Sequence, residues 1–135
     1  MTAACGNQAQ QVFDEAEKFY NSGEYQKAID NYTEAIRLDP KHVKAYNMRG
    51  VSYNVLGQHE RAIQDYTEAI RFDPQYATPY YNRGLSYEEL GQQDKADADF
   101  KRAWELDNNL QFCTSYIEEL SVISCPTSQQ PYKPW

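Results

Sequence analysis

The sequence predicts an all-α fold built as a solenoid of helical hairpins, and three observations carry that expectation. The first is an internal repeat. YTEAIRLDP at Tyr32–Pro40 returns as YTEAIRFDP at Tyr66–Pro74, 34 residues on, and in weaker form as FKRAWELDN at Phe100–Asn108. A fixed period of this length means that one supersecondary unit is stacked several times. The second is helical spacing. Tyr46, Val51, Tyr53 and Leu56 precede Gly57, and Ala62, Ile63, Tyr66, Ala69 and Ile70 follow it at intervals of three and four. The third is punctuation. Gly57 suits the left-handed turn that ends a helix, and Pro74 cannot continue the next one. The unit is therefore helix A, tight turn, helix B, stop.

Taken in order, residues 1–8 (MTAACGNQ) form a small, polar N-terminal extension expected to fray. Unit 1 spans 9–42, with helix A over about Ala9–Ser22, Gly23 at the turn and helix B over about Tyr25–Leu38. Unit 2 spans 43–76, with helices over about Val43–Leu56 and His59–Phe72. Unit 3 spans 77–110, with helices over about Ala77–Leu90 and Gln93–Leu106. Asn108 takes the place of the closing proline, which predicts a less sharp end to that last helix. Phe112, Tyr116, Ile117, Leu120 and Ile123 then recur at helical spacing, so 111–123 reads as an amphipathic helix covering the open end of the stack. Residues 124–135 (SCPTSQQPYKPW) have no helical pattern and should extend. This aromatic tail is a candidate to fold back, or reach into a neighbouring molecule, and occupy the groove of the stack until a partner displaces it, against the plainer reading of a flexible end.

Within each hairpin the small residues Ala16, Gly50 and Gly84 are expected to face Ala28, Ala62 and Ala96, letting the helices approach. Arg49 and Arg83 occupy a position that precedes the small residue, and the expectation is that they lay their stems on the hairpin and keep their charge in water. Gln64 and Asp65 are placed on the outer back of helix B.

Composition excludes several functions. The formal charge is −7, units 1 and 3 are each acidic, and unit 2 is balanced. Nucleic-acid binding needs a basic face, so it is not expected. No apolar run approaches the ~18 residues of a membrane span. Three cysteines, Cys5, Cys113 and Cys125, make no disulfide framework. The cytoplasm is the favoured compartment. The alternative is an envelope lipoprotein anchored at Cys5, because Ala3-Ala4-Cys5-Gly6 looks like the end of a lipoprotein cleavage site while the leader that should precede it is missing.

No catalytic constellation is legible. The two histidines, His42 and His59, lie in a loop and at a position held by Tyr25 and Gln93 in the sister units. There is no His-x-x-x-His or Cys-x-x-Cys spacing for a metal and no glycine-rich phosphate loop. A noncatalytic chain without cofactor is expected.

The repeat resembles the tetratricopeptide repeat family. The positions that carry the likeness are Val12, Tyr46 and Tyr80; Ala16, Gly50 and Gly84; Phe19, Tyr53 and Tyr87; the three turn glycines; Ala28, Ala62 and Ala96; Tyr32, Tyr66 and Phe100; Ala35, Ala69 and Ala103; and Pro40 and Pro74. The resemblance implies a right-handed superhelix whose A helices line a concave groove that holds a peptide segment of a protein partner. The residues it puts in that groove are Phe13, Glu17, Tyr20 and Asn21; Lys44, Asn47, Met48, Val51 and Asn54; and Thr78, Tyr81, Asn82, Leu85 and Glu88. Phe13, Tyr20, Asn47, Met48, Val51, Asn54, Tyr81, Asn82 and Leu85 are the candidate peptide-binding set, with Asn47 and Asn82 expected to stand exposed. Some members grip a chaperone's terminal carboxylate with Lys, Asn and Arg. Here those positions hold Phe13, Glu17, Met48, Thr78 and Asn82, so that clamp is not expected. The alternative role is a self-assembling structural module that uses the terminal unit faces or the tail.

Overall fold

Each unit closes into a hairpin because its first helix runs out onto a glycine. The computed structural model describes residues 2–107, with side chains from residue 6 onward. Six helices follow one another: α1 (Thr2–Asn21), α2 (Tyr25–Leu38), α3 (Val43–Val55), α4 (His59–Phe72), α5 (Ala77–Glu89) and α6 (Gln93–Leu106). No strand occurs among the described residues. α1, α3 and α5 are the A helices, and α2, α4 and α6 the B helices. Each A helix packs along its own B helix, and each B helix packs along the next A helix. The expected helix at 111–123 and the tail at 124–135 lie outside the described residues.

The turns are built alike. Gly23, Gly57 and Gly91 have φ of 80°, 76° and 70°, which a Cβ would penalise. After α3, Gly57 N–H donates to the Asn54 carbonyl at 3.0 Å and Gln58 N–H to the Tyr53 carbonyl at 2.9 Å. This paired pattern satisfies carbonyls that the helix end leaves open. The B helices end on aspartates. Asp39, Asp73 and Asp107 each adopt extended backbone and donate N–H back to Ala35, Ala69 and Ala103. α6 therefore ends at the same register as its sisters, and the aspartate, rather than the proline after it, sets the stop. In the two loops between units, Asp39 accepts from Lys41 N–H and Asp73 from Gln75 N–H, both at 3.1 Å.

α1 begins at Thr2, well before the expected Ala9. Residues 2–8 contain no proline to stop a helix, and Gly6 is the weakest helix former among them. Cys5 consequently falls within α1.

The core differs in one respect from the hairpin packing expected. Ala28, Ala62 and Ala96 are fully buried. However, a Cβ on Gly50 would lie 2.7 Å from Cε1 of Tyr66, and one on Gly84 would lie 2.5 Å from Cε1 of Phe100. The glycines make room for the aromatic ring of helix B, one turn beyond the alanine. Tyr66 and Phe100 are thereby almost wholly buried against α3 and α5.

Candidate functional site

Two rows of side chains join the units, and both differ from what the sequence suggested. The first runs along the junctions between hairpins. Arg49 donates from Nε and Nη2 to the two carboxylate oxygens of Asp65, each at 2.7 Å, and from Nη1 to Thr33 Oγ1 at 3.0 Å. Arg83 repeats this with Asp99 at 2.7 Å twice and with Thr67 at 3.1 Å. Each arginine so ties its own hairpin together and reaches back to helix B of the unit before. The Arg49 side chain is 17% exposed and that of Asp65 only 7%. The expectation that these arginines keep their charge in water is thus corrected, and Asp65 does not belong to the exposed back. The guanidinium finds a planar, bidentate acceptor on its own hairpin. Burial works against the charge of Arg49, yet its bonds to Asp65 outweigh that and hold the guanidinium above its ordinary value. Burial also pushes the Asp65 carboxyl up, and Arg49 pulls it back only in part.

The second row lies between neighbouring A helices. Asn82 Nδ2 donates to Asn47 Oδ1 at 3.1 Å, and Ser86 Oγ donates to Asn54 Oδ1 at 3.0 Å. Asn54 Oδ1 also lies 2.6 Å from His59 Nδ1. Asn47 is 1% exposed and Asn82 3%. The expectation that both stand free in the groove is therefore overturned. They satisfy each other inside the α3–α5 contact, where an unpaired amide would be costly. The equivalent place one unit earlier is apolar: Phe13 and Met48 share the cluster that joins α1 to α3, and Phe13 stacks on His42 with centroids 5.0 Å apart.

The candidate binding residues divide accordingly. Phe13, Asn47, Met48, Val51 and Asn82 are buried between helices. The reason is geometric: an A helix is flanked by its own B helix, the previous B helix and its A-helix neighbours, so only a narrow stripe stays open. Tyr20, Asn54, Tyr81 and Leu85 are half-buried and keep a face to solvent, as do Glu17 and Glu88; Asn21 and Lys44 are exposed. Burial pushes the hydroxyls of Tyr20 and Tyr81 up, with Tyr25 adding to the first and Glu88 to the second. Both tyrosines thus present a packed ring and a neutral polar tip. Tyr20 bridges the clusters of units 1 and 2, and Tyr81 rests against Phe100 with centroids 5.6 Å apart.

No group of three or more His, Cys, Asp or Glu side chains that could hold a metal occurs among the described residues. No helix of the described residues is long and apolar enough to cross a membrane.

Repeated antiparallel hairpins, glycine-turned and stacked so that one helix of each forms a continuous row, define a helical-repeat protein whose A helices present a shared face. The TPR repeat matches residues 16–57 and 52–91, and the tetratricopeptide repeat matches 77–110. The chain belongs to the tetratricopeptide repeat family. Among solved structures it is similar to MamA, with 32% identity and a TM-score of 0.72, over 75% of this chain and 59% of that one. It thus spans well under two thirds of that MamA chain. It is also similar to the first TPR of Spaghetti (RPAP3) bound to the HSP90 peptide SRMEEVD, with 26% identity, a TM-score of 0.80, and 86% and 92% of the two chains covered. The Arabidopsis OM64 TPR domain gives 28% identity and a TM-score of 0.79 over 86% and 94%. No curated protein matches the chain. These likenesses support a protein–protein interaction module.

Proposed function

We propose that the chain is a noncatalytic adaptor that holds an extended peptide segment of a partner along the open stripe of α1, α3 and α5. The observation that carries this reading is the row of half-buried Tyr20, Asn54, Tyr81 and Leu85 on successive A helices. Tyrosine rings held by packing offer contact area with little entropy left to lose, and a phenol and an amide can pair with a ligand backbone. Phe13, Met48, Val51, Asn47 and Asn82 act beneath them, fixing the spacing of the A helices.

The grip is not a carboxylate clamp. Two of the similar structures hold an HSP90 peptide, SRMEEVD. Here the five positions of such a clamp carry Phe13, Glu17, Met48, Thr78 and Asn82, without one cation, and four of the five are buried. At those five positions an acidic C-terminal peptide would meet Glu17 and no cation; Lys44, exposed on α3, lies outside them.

The test is selection of ligands from a random-peptide display library on the purified chain, followed by amide shift mapping. Shifts on Tyr20, Asn54, Tyr81 and Leu85 are expected. Shifts confined to α2, α4 and α6 would refute the reading, as would tighter binding of SRMEEVD than of any selected peptide. Sedimentation over a concentration series addresses the alternative: self-association that no selected peptide dissolves would favour a structural module.

A further inference from the structure

We propose that the edge formed by the last turns of α3 and α5 is a docking site for residues 131–135 of this chain, Pro-Tyr-Lys-Pro-Trp. The edge carries exposed apolar surface. Val55 is 50% exposed and Leu56 41%, the large hydrophobic side chains left open among the described residues. They close α3 just before Gly57. The Ser86–Asn54 bond fastens the last turns of α3 and α5 to each other. Glu88 and Glu89 follow Ser86 in α5 as Val55 and Leu56 follow Asn54 in α3, so the two carboxylates and the apolar pair lie at the same end of neighbouring, joined helices.

The electrostatics of that edge are unbalanced. A helix C-terminus is the negative end of its dipole and favours a cation. α5 instead places Glu88 and Glu89 in its last turn, and neither α3 nor α5 has a basic residue there. Neither carboxylate has an ion-pair partner among the described residues, unlike Glu34 with Arg37 and Glu68 with Arg71 near the ends of α2 and α4. The nearby cations are committed: Arg61 to Gln58 and the Tyr53 ring, Lys95 to Gln92 and the Tyr87 ring. Burial raises the Glu88 carboxyl; Gln93 opposes this by hydrogen bonding, while Asp97 and Glu89 add to it as like charges. Exposed apolar side chains at the end of one helix and carboxylates without an ion-pair partner at the end of the next fit a lysine flanked by aromatic side chains.

Residues 131–135 have that chemistry. Lys133 is the one basic residue in 108–135, and it stands between Tyr132 and Trp135. Pro131 and Pro134 restrict the backbone to extended conformations, which lowers the ordering cost of docking. The reach suffices. The edge lies at the start of α6 and Asp107 at its end, about 21 Å apart at ~1.5 Å per helical residue. Roughly two dozen residues between Asp107 and Tyr132 cover that distance even if half of them are helical. Being tethered, the segment needs only weak affinity, because a short linker supplies an effective concentration in the mM range.

The test compares amide spectra of the full chain with those of Lys133→Glu and Trp135→Ala. Shift changes should fall on Val55, Leu56, Gly57 and Glu88 to Gly91, and a synthetic peptide of residues 129–135 added to either variant should return them toward the parent. Glu88→Gln with Glu89→Gln should reproduce the changes and weaken the peptide about three- to tenfold, the effect of losing one or two exposed ion pairs. Variant spectra that coincide with the parent overturn the proposal. So do changes that fall on Tyr20, Tyr81 and Leu85 instead, an outcome that would leave the reading of the A-helix stripe as a binding surface standing.

Discussion

Asp65→Ala is the sharpest perturbation of the junction between units 1 and 2. It deletes two charge-assisted bonds of 2.7 Å and leaves the Arg49 guanidinium largely desolvated without its counter-ion. Breaking a buried pair by removing one partner costs about 3–5 kcal/mol. Arg49 keeps some access to water, so the lower end applies, about 3 kcal/mol. A domain of this kind has only ~5–15 kcal/mol in total. Because Arg49 also holds Thr33, the damage should extend across the junction, and amides of α1 and α2 should lose protection along with those of α3 and α4. Urea unfolding followed by far-ultraviolet circular dichroism gives the first quantity, and native-state hydrogen exchange the second. The paired replacement Arg49→Met with Asp65→Leu removes both charges at similar volume and should recover stability to within about 1.5 kcal/mol of the parent. Asp65→Ala within ~0.5 kcal/mol of the parent, or a double variant no better than the single one, would mean that the Arg49–Asp65 pair does not hold this junction.

Further predictions follow from individual contacts. Gly50→Ala should cost about 1–3 kcal/mol in urea, because its Cβ would meet the Tyr66 ring at 2.7 Å; Ala62→Leu, at a fully buried alanine, should cost a similar amount. Tyr32→Phe should be neutral or slightly stabilising, since the buried Tyr32 hydroxyl has no hydrogen-bond partner among the described residues. The pH dependence should be visible at His42. Its Nδ1 accepts the Ala45 N–H at 3.2 Å as the cap of α3, its ring stacks on Phe13, and burial lowers its pKa; Asp39 and Asp14 work against that shift and Lys44 with it. A histidine depressed on folding contributes stability above its unfolded value near ~6.5 and loses it as pH falls through the folded value. The chain should therefore weaken by about 1 kcal/mol, the worth of a cap, from pH 7.5 to 5, and His42→Asn, which keeps an acceptor, should flatten that part of the curve.

The hairpins were legible because period, spacing and turn glycines all repeat at one interval, as in Gly23, Gly57 and Gly91. The side-chain partners across units were not, because they do not sit at that interval. Asn47 meets Asn82, one residue beyond the repeat, and Phe13 meets Met48 with the same offset, whereas the family resemblance implied that the free face of each A helix, these residues included, lines an open groove. A signal for the arginines did exist. Where units 2 and 3 have Arg49 with Asp65 and Arg83 with Asp99, unit 1 has Glu15 with Asn31. Both positions change together between units, which marks a contact. Glu15 pairs instead with Lys18 on the surface. Similarly, Gly50 and Gly84 read as close-approach positions, but the spacing offers both the alanine and the aromatic of helix B as the group that approaches, and it is the aromatic ring.

The partner is expected on the open stripe of the A helices and not on the back of the B helices. Two variants of matched charge test it most directly. Asn21→Lys with Leu85→Lys places long cationic side chains in the stripe; Gln64→Lys with Ala98→Lys places them at exposed positions of α4 and α6. For a peptide selected by display, at least a tenfold loss of affinity is expected in the first variant, none in the second, and melting within a few degrees of the parent for both. Parent-like affinity in the stripe variant, with binding lost in the back variant, would contradict it.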